Sequence, residues 1–185
     1  MPRPPRIFDP DLPYHVTTRG NDGRAIFDSV ADARLFLDLL ARAFARFEVT
    51  CAAYCLMTTH YHLLVTEGCE RLPFAMHLLN GVYARGFNQR YGREHHVFGR
   101  RYAAIAVETE RHLLAVHRYI ARNPVAAGLC EHPADWRWSS YRSTCGLRRR
   151  PRFLEDDRVI ELFGRDRSTA LLRLREFVES DEPAA

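Results

Sequence analysis

The chain has 185 residues, of which 46% are hydrophobic and 11% aromatic, and a formal net charge of +4. That length suits one domain with a sizeable core. No apolar run approaches the ~20 residues of a membrane span. The opening MPRPPRIFDPDLPYH lacks the apolar centre of a secretory signal, so a cytoplasmic protein is expected.

The five cysteines, Cys51, Cys55, Cys69, Cys130 and Cys145, are odd in number and scattered, and are read as reduced thiols. All 27 basic residues are arginine. A guanidinium grips phosphate with two parallel hydrogen bonds, which would suit a nucleic-acid partner. A GC-rich genome produces the same bias through its codons, so the bias alone selects no function.

Residues 1–13 carry five of the ten prolines and read as an extended arm. YHVTTR (residues 14–19) is rich in β-formers and predicts a strand, followed by a turn at GNDG (20–23). Residues 32–47 repeat apolar side chains at helical spacing: Leu35, Phe36, Leu39, Leu40, Ala43 and Phe47. Two strands at 49–57 and 60–66, separated by Thr58 and Thr59, predict a hairpin. A long helix over 72–91 is closed by Gly92. The loop REHHVFGR leads to a strand at 102–109, and a helix over ERHLLAVHRYIARNP then ends near Pro124. The tail holds WRWSSYR, the basic run LRRRPR and two short helices at 156–163 and 168–179. The order predicts an α+β protein with a ferredoxin-like split β-α-β core, an antiparallel sheet, an added helix and a helical C-terminal tail. The expected divisions are an arm at 1–13, a main domain at 14–145 and the tail at 146–185. This fold carries many functions, so the fold alone decides none.

Two constellations carry chemistry. In MTTHYHLLVT, His60 and His62 are two apart on a strand, hence on one face, with Tyr61 and Leu63 on the other. Paired imidazoles can offer nitrogens to one cation. With nine histidines in the chain, about 0.4 such pairs arise by chance, so the pair needs outside support. CAAYCLMTTHYH does not fit a zinc finger, because the gap from Cys55 to His60 is too short; Cys51 and Cys55 read as small core residues. In HRYIARNP, Tyr119 and Asn123 are four apart, stacked on one helix face. Tyr119 could supply a nucleophile and Asn123 an oxygen ligand, with Arg118 and Arg122 flanking for phosphates. The competing reading is a packing tyrosine, and an asparagine that ends the helix before proline.

Taken together, YHVTTRGNDGRAIF, YCLMTTHYHLLV, NQRYGREHHVFGRRY, HRYIARNPVAAGL and DWRWSSYR occur in an order that resembles the REP-associated tyrosine transposases, single-tyrosine members of the HUH nucleases. The resemblance spans residues 14–142. It implies that His60, His62 and Asn123 hold Mg²⁺ or Mn²⁺ and that Tyr119 is the nucleophile. The middle residue of the histidine motif is Tyr61, where the family is usually aliphatic. In FGRRY (98–102), Gly99 and Arg100 are shifted by one from the family pattern.

The implied substrate is single-stranded DNA beside a hairpin, cleaved and rejoined through a 5′-phosphotyrosine link. Arg19, Arg100, Arg101, Arg118 and Arg122 are the expected phosphate contacts, and Tyr102 a stacking platform for an unpaired base. The RRRPR run (148–152) is a candidate phosphate-binding arm, while Trp136, Trp138 and Tyr141 are expected to pack the tail. A phenol has a reference pKa near ~10 and needs help to ionise near neutrality. No general base is evident, since His117 lies on a different helix face from Tyr119. Two rival readings remain: a non-catalytic module that binds hairpin DNA or RNA, and a small ribonuclease using histidine as acid and base. The sequence leaves open whether the protein is a monomer or a homodimer.

Overall fold

The computed structural model describes residues 7–180. Its elements are β1 (Tyr14–Arg19), α1 (Val30–Phe47), β2 (Thr50–Leu56), β3 (His60–Glu67), α2 (Leu72–Tyr91), β4 (Ala103–Ala106), α3 (Glu110–Ala126), α4 (Tyr141–Thr144), α5 (Asp157–Glu161) and α6 (Arg167–Glu179). The strands form one antiparallel sheet in the order β2-β3-β1-β4. With α1 and α2 as the crossovers, this is the ferredoxin-like arrangement that the pattern predicts. The first six residues of the expected arm lie outside the described residues. Phe8 packs edge-on against Tyr14.

The sheet is covered on both faces. α1 and α2 cover one face, packing Phe36, Leu40, Met76 and Leu79 onto Val16, Tyr61, Leu63 and Val65. α3 and the tail cover part of the other, where Leu113, Ile120, Leu174 and Val178 meet Ala53, Cys55 and Leu64. Residues 51–57 are therefore buried throughout: both faces of this edge strand are covered, and its outer edge meets Ser139 and Leu154 of the tail. Cys51 belongs to the first core and Cys55 to the second, so the two thiols stand on opposite sides of the sheet.

Local chemistry sets the ends of the helices. Ser29 caps α1 by accepting from the Asp32 amide, while the Asp32 carboxylate accepts from Ser29 in return. Asp32 also accepts from Arg90 and from Tyr91 Oη (2.7 Å), tying the start of α1 to the end of α2. Gly92 ends α2 in the left-handed region at φ 60°. α3 does not stop before its proline. It runs through Pro124 to Ala126, because Ile120, Ala121 and Pro124 itself are buried. Near its end the helix forgoes only the one bond that the proline nitrogen cannot donate. β4 is shorter than the predicted span.

The tail docks through α3. The last carbonyls of a helix lack partners within it, and α6 has no basic residue in its own last turn. Arg118 and Arg122 of α3 supply the missing donors. Arg118 donates to the Ser180 carbonyl and stacks 5.4 Å over Phe177, and Arg122 donates to the carbonyls of Val178, Glu179 and Ser180. Two cations thus meet the negative end of the α6 dipole.

Asp32→Ala should cost about 2 kcal/mol of unfolding free energy, since it removes a cap and a charge-assisted contact. Burial raises the Asp32 pKa, but hydrogen bonds from Tyr91, Ser29 and Arg90 outweigh it and hold the carboxyl below the usual aspartate value. The wild-type advantage should therefore be full above pH ~4 and fade as pH falls through the lower folded-state value, read by denaturant titration at several pH values. Arg118→Ala should likewise lower stability by about 2 kcal/mol and expose α6 to hydrogen exchange before the sheet.

Candidate active site

The site forms where α3 ends its cover of the sheet. Alternation along β3 puts His60 and His62 on the α3 face, and Tyr61 on the other face, where its hydroxyl donates to Asn80 Oδ1 (2.8 Å). The two rings are edge to face, with centroids 4.9 Å apart. Across the sheet, β1 aligns Thr17 with His62 and Arg19 with His60. From α3, the Tyr119 ring stands 5.3 Å from His62, edge to face, and Asn123, one turn on, comes close enough to His60 to raise its pKa. The residues predicted on the strand and those predicted on the helix therefore come together. Tyr119 is 53% exposed, while His62 is 5% exposed. The phenol thus stands open to solvent above a buried imidazole.

One member of the cluster was not anticipated. His15 of β1 places Nε2 3.0 Å from His62 Nδ1, with the rings stacked at 5.2 Å. Its ring also lies 5.9 Å from that of Tyr119. YHVTTR carries the alternation that puts His15 and Thr17 on one face. The register of β1 on β3, which sets His15 one same-face pair along from His62, was the missing piece.

Burial, then the neighbouring His15 and His60, push the His62 pKa down to about 3, so this imidazole is neutral across the physiological range. Burial and the Arg19 charge lower His60, against a hydrogen bond to Asn123 that raises it. Burial and His112 lower His15. Neutral imidazoles are the form that binds cations. His62 Nε2 is buried with no hydrogen-bond partner, an arrangement that is costly unless something else engages the lone pair or proton. Two imidazole nitrogens and a carboxamide oxygen suit a borderline divalent ion such as Mn²⁺, and Mg²⁺ where water completes the shell. Among the described residues, no three His, Cys, Asp or Glu side chains form a metal-binding group. The candidate set relies on Asn123 for its third donor.

The other predicted positions separate into three groups. Arg19 is exposed at the edge of the cluster. Arg100 and Arg101 are exposed away from it, on a groove of about 1240 Å³ between α2 and residues 94–102, which His77, Arg85 and Phe74 also line. Arg118 and Arg122 do not flank an open phosphate site as expected. Arg118 is buried, and both guanidinium groups are committed to the end of α6, because the tail folds back over that flank of α3. Tyr102 is 8% exposed and packs in the core under α2, at the floor of the same groove. Arg150, in the expected basic arm, is held by Asp156 and Asp157. His117 is fully buried, and burial takes its pKa down to about 4. Among the described residues no helix is long and apolar enough to cross a membrane.

A solved structure of a REP-associated tyrosine transposase bound to a REP hairpin has a similar fold, with a TM-score of 0.64 at 15% identity. The match covers 79% of this chain and 86% of that one. No curated protein matches the sequence. The sequence matches the family described as "Transposase IS200 like" over residues 10–123. That span includes β1 to β4 and α3 as far as Asn123, more than half of the chain and every residue of the histidine–tyrosine cluster. The chain belongs to the IS200-like transposase family.

Proposed function

We propose that the protein cleaves and rejoins single-stranded DNA beside hairpins, with Tyr119 as nucleophile and His60, His62 and Asn123 as ligands of Mg²⁺ or Mn²⁺. The observation that carries this reading is the convergence of a half-exposed phenol with two neutral imidazoles and an amide. A protein that only bound hairpins would have no need of that set. The solved relative was captured on a REP hairpin, which supports hairpin DNA as the substrate class. The cytoplasm, where such DNA is found, is the expected compartment.

The bound ion would act as a Lewis acid on the scissile phosphate, offsetting charge that builds on its oxygens. Tyr119 Oη attacks phosphorus, forming the Oη–P bond as the P–O3′ bond breaks. The phenol proton leaves to solvent, and the departing 3′ oxygen ends as a hydroxyl. The 5′-phosphotyrosine keeps the phosphodiester's energy, so a second 3′-hydroxyl can reverse the step and join new ends. The exposure of Tyr119 leaves room for a strand to approach.

His15 acts on this chemistry through His62. For Nε2 of His62 to present a lone pair, its proton must sit on Nδ1, and Nδ1–H then donates to His15 Nε2. His15 is thus a positioning residue that fixes tautomer and ring angle, as outer-shell partners of metal-bound histidines commonly do.

The test is incubation of the full chain with labelled hairpin DNA carrying single-stranded tails, plus Mn²⁺, followed by denaturing electrophoresis. A covalent protein–DNA adduct is expected, lost with Tyr119→Phe and with chelator, while DNA binding persists. Binding without adduct across varied hairpins would favour the non-catalytic module, and RNA cleavage in chelator the histidine ribonuclease. In a second measurement, Mn²⁺ titration followed by electron paramagnetic resonance, His15→Leu should weaken affinity about 10- to 100-fold. His15→Gln, whose amide oxygen can still accept from His62, should restore most of it.

A further inference from the structure

The protein's arginines differ in what holds them. Arg71, Arg90, Arg93, Arg150 and Arg167 each contact a carboxylate. Arg118 and Arg122 serve the end of α6. A third set surrounds a pocket of about 610 Å³ between α1 and the segment that runs along the free edge of β2. Arg34 comes from α1. Arg137, Arg142 and Arg148 come from the WRWSSYR and LRRRPR stretches, which the candidate active site leaves unused.

Three of these four are positioned without being neutralised. The Arg137 guanidinium lies 4.6 Å over the Trp138 ring. Arg142 donates to the Ala134 carbonyl (2.6 Å), and Arg148 to the Arg137 carbonyl (3.3 Å). Their partners are an indole and two peptide carbonyls, which fix direction and leave the charge in place. Among the described residues, none of the four makes an ion pair with a carboxylate, and Asp38 is the one acid lining the pocket. Trp138 is itself anchored, because its carbonyl accepts from the Leu56 amide at the end of β2 (3.0 Å). Holding like charges together costs repulsion, and an anion between them offsets it. Guanidinium groups with fixed orientation and unspent donors match phosphate geometry.

We propose that this pocket is a phosphodiester-binding site that grips the backbone of a nucleic-acid strand away from the reacting tyrosine. It stands on the α1 side of the sheet, whereas Tyr119 stands on the other. It would therefore hold a part of the DNA that is not being cut. With four arginines in its lining and Arg137 stacked on Trp138, it reads charge and spacing and not base identity. The inference rests on the nucleic-acid reading above but not on the tyrosine chemistry.

The test uses the full chain and fluorescein-labelled hairpin DNA with single-stranded tails, measured by anisotropy over a series of salt concentrations. The variant Arg34→Gln/Arg137→Gln/Arg148→Gln spares the half-buried Arg142. It should bind about 10- to 100-fold more weakly, with the slope of log affinity against log salt reduced by about 2 to 3. A control, Arg46→Gln/Arg158→Gln/Arg165→Gln, removes the same charge from exposed positions elsewhere and should change the slope by less than 1. Equal effects in both variants, or an unchanged slope in the first, would overturn the proposal. Circular dichroism shows whether the first variant is folded; should it unfold, the single change Arg34→Gln on the surface of α1 carries the test, with an expected slope change of about 1. Wild-type protein that binds no DNA would sink the functional reading itself, which separates that failure from this one.

Discussion

The way α3 lies across the sheet governs the rest of the molecule. It covers β2 and part of β3 with Leu113, Ile120 and Ala121, and it stops short of β1 and β4. Where the cover is complete, the sheet carries alanine, cysteine and leucine. Where the cover ends, it carries His62, then His15 and Thr17, then the exposed Ala103 and Ile105 of β4. A polar cluster can exist on a sheet face only at such a margin. One side there excludes water and lowers the imidazole pKa values, and the other leaves Tyr119 open to solvent. Tyr119 occupies the same margin from the helix side, one position before the buried Ile120.

That placement is costly, and the tail compensates for it. A helix lying half across a sheet has a flank that neither strands nor solvent satisfy well. α6 closes that flank, and Arg118 and Arg122 convert it into a docking surface by meeting the carbonyl end of α6. Two arginines beside the candidate nucleophile thus hold the element that holds the nucleophile. Their sequence position suggested phosphate contacts because i−1 and i+3 of a catalytic tyrosine lie close to it in sequence. On a helix those positions turn away from it by about 100° and 60°.

Much of the fold was legible because period and burial agree. The helical repeat of α1, the continuous apolar run of β2 and the Gly92 stop after α2 each reflect local chemistry that tertiary packing reinforces. The end of α3 fell within two residues of the expected position near Pro124; local proline chemistry marks the region, and burial of Pro124 carries the helix on to Ala126. His60, His62, Tyr119 and Asn123 were legible because each pair shares a face by the geometry of its own element. His15 was not, since its contact with His62, 47 residues away, depends on the exact register of β1 on β3, which the strand pattern does not fix. The packing of Tyr102 and of the α3 arginines was not legible, because a sequence shows that a residue can contact a ligand, and not which of the protein's own groups it also meets.

The same distinction explains why an all-arginine basic set is informative only after folding. A guanidinium can be spent on a carboxylate, on the carbonyl end of a helix, or on a single peptide carbonyl or aromatic face, and only the last leaves its charge available. Around Arg150, three consecutive acids, Glu155, Asp156 and Asp157, absorb the charge, and the basic run there becomes a structural clasp. Two residues earlier, Arg148 rests on a peptide carbonyl and keeps its charge. A polyanion that touched both would gain from Arg148 and gain little from Arg150, whose release would strand buried Asp156. The surface that attracts phosphate is therefore set less by where the arginines fall in the sequence than by where the acids are absent.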